Sequence, residues 1–245
     1  MDGLVSCIMP TRDRPRFVRQ ALRCFLRQTR AESELIAVDD GEQPVDGLCA
    51  GLERVRYLRL DQPATIGAKL NLGIRAARGG IIQKLDDDDY YSPGFLDMAA
   101  SRLPGDGCVV AWERFLVLFA GEAGPRDSGA GWTAGGTLCF TRELWNRRPF
   151  RDLTRGEDSG FMRDHRPRIV RVNEPDHYMM VRHGENTWTR MSDGATADGF
   201  LRSLPVYGKP LRTLLNPADC EFYESLESPV IAARADPCGP EPALR

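Results

Sequence analysis

Short apolar runs alternate with helically spaced apolar residues along the first third of the chain. Residues 4–9 form an apolar run that Pro10 ends, which predicts a buried strand. Pro15 then stands where a first helical turn tolerates proline, and Phe17, Val18, Ala21, Leu22 and Phe25 share one face of a helix over 15–27. Residues 34–38 and 55–60 predict a second and a third strand. A helix over 68–78 follows, with Leu70, Ile74 and Ala77 on one side and Gly79-Gly80 as its stop signal. Residues 81–85 predict a fourth strand, which runs into Asp86-Asp87-Asp88-Asp89. This alternation implies an α/β fold with a mostly parallel central sheet, helices on both faces, and ligands beyond the carboxyl ends of the strands.

The pattern then loosens. Residues 108–120 predict one long strand or a hairpin, and the glycine-rich, polar run 121–136 predicts a long mobile loop. Strands are expected at 137–141 and 178–182, and a short helix at 157–164. Beyond about residue 191 the chain reads as irregular, with a loose tail at 236–242.

Composition narrows the function. At 245 residues, 42% hydrophobic and 28% charged, the chain can bury a full core and fits one large domain with a modest appendage. Thirty-three basic against thirty-five acidic residues give a net charge of −2, so no global basic field draws it to nucleic acid. Lys69, Lys84 and Lys209 are the only lysines. The remaining positive charge is arginine, suited to bidentate pairing with phosphate or carboxylate. Seven cysteines without CxxC spacing imply buried thiols in a reduced, cytoplasmic protein. The start lacks the pattern of a signal peptide. No apolar stretch approaches the roughly 18 residues of a membrane span, which leaves peripheral membrane contact open.

Candidate chemistry gathers at the strand ends. Four consecutive carboxylates, Asp86 to Asp89, repel one another unless a cation sits among them, and hard oxygen ligands there suit Mg²⁺ or Mn²⁺ holding a diphosphate. A solvated acidic turn is the plainer alternative. Asp39-Asp40 ends the second strand beside the first strand's loop, Pro10-Thr11-Arg12-Asp13, where a carboxylate can accept from a base N–H or a ribose hydroxyl, or simply form a turn. Gly67-Ala68-Lys69-Leu70-Asn71 opens a helix, where free N–H groups and Lys69 favour an anion. His183 lies in a polar turn after a strand, and Trp132 is the tryptophan best placed for an acceptor contact.

Together, Val5-Ser6-Cys7-Ile8-Met9-Pro10-Thr11, Ala37-Val38-Asp39-Asp40-Gly41, Gly67-Ala68-Lys69-Leu70-Asn71-Leu72-Gly73 and Leu85-Asp86-Asp87-Asp88-Asp89 resemble the family 2 glycosyltransferases in order and spacing. The resemblance covers roughly residues 4–190. It implies the GT-A fold and transfer of a sugar from a nucleoside diphosphate, a UDP-sugar foremost, to a hydroxyl acceptor that the sequence does not name. It further implies a nucleotide-sugar half over 1–105, an acceptor half over 106–190, and an extension over 191–245. By position, Asp39 would meet the base, with Pro10, Thr11, Arg12, Lys69 and Asn71 around the nucleotide sugar. Asp86 and Asp88 would form the Asp-x-Asp pair, Asp87 remaining an alternative in the fourfold run. Mn²⁺ or Mg²⁺ would rest on Asp88 and His183. Arg155-Gly156-Glu157-Asp158 resembles the acceptor-side segment, which makes Asp158 the catalytic base of an inverting displacement. A sugar-nucleotide pyrophosphorylase, a carboxylate-based hydrolase and a non-catalytic nucleotide or glycan binder are the rival readings. The oligomeric state is not legible.

Overall fold

The computed structural model describes residues 3–191 and 194–227. Its first part alternates as expected: β1 (Val5–Thr11), α1 (Pro15–Leu26), β2 (Ser33–Asp39), α2 (Asp46–Cys49), β3 (Val55–Arg59), α3 (Ile66–Ala76) and β4 (Ile81–Lys84). Next come β5 (Tyr90–Tyr91), α4 (Phe95–Arg102), β6 (Cys108–Trp112), β7 (Leu116–Phe119), β8 (Arg126–Asp127) and β9 (Cys139–Thr141). The chain continues through α5 (Arg142–Arg147), α6 (Glu157–His165), β10 (Arg168–Val172), β11 (Tyr178–Arg182), α7 (Ala197–Arg202), α8 (Leu211–Leu214) and α9 (Pro217–Glu224).

Seven strands form the central sheet in the order β10-β6-β9-β4-β1-β2-β3. The pairs β4–β1, β1–β2, β2–β3 and β10–β6 are parallel, and β9 runs antiparallel between β4 and β6. Chain order reverses at β1, so a crevice opens beyond the ends of β1, β2 and β4. Successive side chains of a strand face opposite ways. Cys7 and Met9 therefore join the core beneath α1 and α4, and Ile8 joins the core beneath α3, α5 and α6.

A second sheet has the order β5-β11-β7-β8. The acidic run leaves β4 of the first sheet and enters β5 of the second, so it spans the join between them. Residues 108–120 make neither one strand nor a hairpin: β6 belongs to the first sheet and β7 to the second. Local periodicity is alike for both, and only their distant partners separate them. The glycine-rich run 121–136 is also not a free loop. Within it β8 pairs with β7, and Asp127 accepts from Arg114 at 3.0 Å.

Beyond residue 191 the chain is helical where irregularity was expected. Leu211, Leu215, Cys220, Tyr223 and Leu226 pack on Tyr90, Leu116, Leu118 and Met179 of the second sheet. Asp219, fully buried, accepts from Gln20 and pairs with Arg27, which pins α9 to α1. These helices are too short to announce themselves by periodicity. The tail at 236–242 lies outside the described residues.

Candidate active site

The carboxylates of the acidic run meet different sets of partners, with Arg14 shared by two of them. Lys84 stands 3.2 Å from Asp86 Oδ1. Thr11 donates to Asp87 Oδ2 at 2.6 Å, and Arg14 donates to Asp87 Oδ1 at 3.0 Å. Three donors converge on Asp88 Oδ2: Arg14 at 3.0 Å, Asn186 Nδ2 at 3.2 Å and the His183 ring, whose Nε2 lies at 2.9 Å. Asp89 turns away from the crevice and accepts from the Val181 N–H at 2.9 Å and from the Tyr178 hydroxyl. It ties the run to β11. The cations that the sequence argument required are thus in part supplied by the chain itself.

The electrostatics differ along the run. Burial raises the carboxyl pKa of Asp86 against the lowering charge of Lys84. Burial pushes Asp87 up to about 6, although Arg14 opposes it. Asp89 is raised by burial and by the charges of Asp88 and Asp86. Asp88 is the exception. Burial acts against its charge as well, but the His183 hydrogen bond and the Arg14 charge outweigh that, and its carboxyl falls below the usual range. Asp88 is the member of the run best kept as an anion.

The β2 end is equally built. Asp39 is fully buried and accepts from the Gly41 N–H at 2.8 Å and from the Tyr57 hydroxyl at 2.9 Å, with Arg59 3.5 Å away. Asp40 pairs with Lys69 at 2.8 Å, and the same ammonium donates to the Thr11 carbonyl at 3.0 Å. Lys69 therefore clamps the ends of β1 and β2 together. The start of α3 is not open to an anion: Leu153 O accepts from Gly67 N–H, and Thr65 Oγ1 accepts from Ala68 N–H. Asn71 faces the loop after α5, accepting from Trp145 Nε1 at 2.8 Å and donating to the Phe150 carbonyl at 2.8 Å. Pro10 lies inside β1, buried and in register with Val38. Arg12 is exposed and, among the described residues, meets only Asp13 as a charged partner, at 3.6 Å.

Arg14 was missed in the sequence. Nothing in its spacing marks it, but four carboxylates call for cations, and Arg14 sits in the loop that leaves β1 towards them. The acceptor side adds Glu157 and Asp158 at the start of α6. Glu157 is buried, with Lys84 3.3 Å away. Asp158 Oδ1 accepts from the Ser159 N–H at 2.6 Å. Its other oxygen lies against Gly135, where a Cβ would fall 1.6 Å from Oδ2. Gly136 is bare for a similar reason, since a Cβ there would lie 2.5 Å from Asp86 Oδ2. The two glycines bring the base candidate and the donor-side carboxylate to adjacent residues of one segment. Trp132 packs against Phe115 and Trp188, with ring centroids 4.7 and 6.2 Å apart.

Against known proteins, a glycosyl transferase family 2 profile matches residues 6–182. The chain belongs to that family. The uncharacterized glycosyltransferase EpsJ of Bacillus subtilis is 37% identical over 96 residues, covering 38% of this chain and 28% of EpsJ. Among solved structures, S. aureus TarS 1-349 in complex with UDP aligns with a TM-score of 0.61 at 19% identity, covering 73% of this chain and 60% of that one. A mannosyltransferase from Pyrobaculum calidifontis, in complex with GDP-Man and Mn²⁺, aligns at 0.60 and 17% identity, over 77% of this chain and 59% of its own. The fold is GT-A. The chain spans under a third of EpsJ and about three fifths of the two structural neighbours.

Among the described residues, no cluster of three or more His, Cys, Asp or Glu side chains is arranged to hold a metal by itself. Asp88 Oδ2 and His183 Nε2 nevertheless lie 2.9 Å apart, and a divalent ion bound by both would replace the proton that the imidazole donates there. One carboxylate and one imidazole fit a Mg²⁺ or Mn²⁺ ion whose remaining ligands come from substrate phosphates and water.

Proposed function

We propose that this GT-A unit transfers a sugar from a nucleoside diphosphate, a UDP-sugar foremost, to a hydroxyl acceptor with inversion at the anomeric carbon. One observation carries the reading: Asp158 and Asp86 lie against the adjacent glycines 135 and 136, with Lys84 joining Asp86 to Glu157. In this reading a donor-side carboxylate and a base border one crevice. Family membership and neighbours bound to UDP or GDP-Man support a nucleotide-sugar donor.

In this reading Asp39, with Tyr57 and Arg59, receives the base, and Asp86 accepts from the ribose. Asp87 holds Thr11 and Arg14 in place beside the diphosphate. Asp158 takes the proton of the acceptor hydroxyl as its oxygen attacks the anomeric carbon and the bond to the diphosphate oxygen breaks. A single displacement inverts the centre. A divalent cation held by Asp88 and His183 would offset the charge growing on the departing nucleoside diphosphate. The reading places the chain in the cytoplasm, and the six described cysteines are free and buried, as a reducing compartment allows. No helix among the described residues is long and apolar enough to cross a membrane.

The test is a screen of nucleotide sugars for nucleoside diphosphate release, with and without Mn²⁺, against a panel of hydroxyl acceptors. Release that requires Mn²⁺ and an acceptor is expected. Binding of UDP without turnover of any donor would leave a non-catalytic relative as the better reading.

A further inference from the structure

Lys84 closes β4, and its side chain is 5% exposed. The ammonium lies 3.2 Å from Asp86 Oδ1 and 3.3 Å from Glu157 Oε1. Among the described residues it is the one cation within ion-pair distance of either carboxylate. Asp86 belongs to the strand end that faces the donor, and Glu157 opens α6 immediately before Asp158. A fully apolar residue would serve the sheet at least as well, because burying an ammonium and two carboxylates costs desolvation that their attraction only partly offsets. One ammonium shared by two carboxylates also leaves the group a net negative charge, so its balance responds to anything that engages Asp86.

We infer that Lys84 is a positioning residue, coupling the donor-side carboxylate Asp86 to the base-bearing start of α6. When Asp86 accepts from a bound nucleotide sugar, its claim on the ammonium weakens and that of Glu157 strengthens. The first turn of α6, with Asp158, already formed beside Gly135, is then held more firmly when the donor is present. Such coupling would favour attack on a loaded site. The inference rests on the transferase reading of the same crevice.

The experiment follows hydrogen exchange over residues 156–162 of the full chain, before and after addition of UDP and Mn²⁺, with UDP binding measured separately by calorimetry. In wild type, exchange in this segment slows on binding. Lys84→Met keeps UDP binding within a few-fold but loses that response, and Lys84→Arg recovers part of it. Donor turnover by Lys84→Met falls on the order of 10²-fold, the cost of a misplaced base. A response in Lys84→Met equal to wild type overturns the inference. If Lys84→Met fails to fold, Glu157→Gln breaks the same ion pair from the helix end, and an unchanged response in that variant overturns it equally. A wild-type chain that binds neither UDP nor GDP refutes the nucleotide-sugar reading of the crevice itself. One that binds UDP while α6 stays unresponsive refutes only the coupling.

Discussion

The imidazole of His183 lies on the ring of Phe17, their centroids 4.2 Å apart, and Phe17 meets Phe222 of α9 edge-on at 6.1 Å. Arg16, next to Phe17, donates to Ser225 Oγ at 2.9 Å. The wall behind His183 is therefore built from helix α1 and from the segment beyond residue 191. Phe222→Ala should weaken Mn²⁺-dependent UDP binding more than it lowers the melting temperature, because Phe222 is only partly buried while Phe17 depends on it for support. Phe17→Ala should also destabilise the fold, by about 3 kcal/mol as buried Phe→Ala changes do. Calorimetry and thermal melts on the two variants check this. Unchanged UDP affinity in both would mean that the aromatic wall does not position His183.

The metal prediction turns on Asp88, the carboxylate kept below its ordinary pKa by His183 and Arg14 in spite of burial. UDP should bind far better with Mn²⁺ or Mg²⁺ than with chelator, and Asp88→Ala should remove most of that difference. Equal affinity with and without metal in wild type would sink the two-ligand site. Transfer would then have to rely on Arg14, already in the crevice.

The alternating half of the fold was legible because each β–α unit carries its own period and stop signals. Strand 178–182 was legible too, as an apolar run entering a polar turn. The second sheet was not, because β5 and β8 are two-residue strands whose identity comes from partners far along the chain. In the crevice, residue type at a strand end pointed to Asp39 and Asp86–Asp88, but it could not say where a side chain turns. Lys69 read as an anion contact from its place at a helix start and Asn71 as a ligand contact from the family resemblance, whereas their polar atoms meet Asp40 and the Phe150 backbone. Arg14 and Lys84 gave no local signal at all. They matter because tertiary folding places them against carboxylates that no spacing rule connects to them.

Away from the crevice, burial lowers the pKa of His177, whose Nδ1 lies 2.6 Å from Ser92 Oγ. The folded value is below the ordinary one near 6.5, so between the two the unfolded chain binds the extra proton. Stability from this group is complete above about 6.5 and is lost as pH falls through the lower folded value. Thermal melts should show a decline on acidification below about pH 6.5 that His177→Gln reduces. Parallel profiles for the two proteins would assign the acid loss to other groups.

The sharpest test of the base lies in its neighbour. A methyl group on Gly135 would fall 1.6 Å from Asp158 Oδ2, so Gly135→Ala must turn that carboxylate aside. Gly135 has no left-handed backbone that alanine would strain, and the obstruction is a side-chain end that can swing away. The fold should therefore tolerate the change, with melting close to wild type. Asp158→Asn removes basicity and keeps shape, and should lower turnover by about 10²–10⁴, the usual worth of general-base assistance. Gly135→Ala keeps basicity and removes placement, and should fall in the same range while UDP affinity moves little. Steady-state rates with a working donor and acceptor, beside calorimetry with UDP, compare the two. If Asp158 were only a helix cap, Asp158→Asn would retain near-normal rates, since Asn caps about as well as Asp. Loss of turnover in Gly135→Ala alone would then point to steric blockage of the acceptor, and Glu157 would become the candidate base.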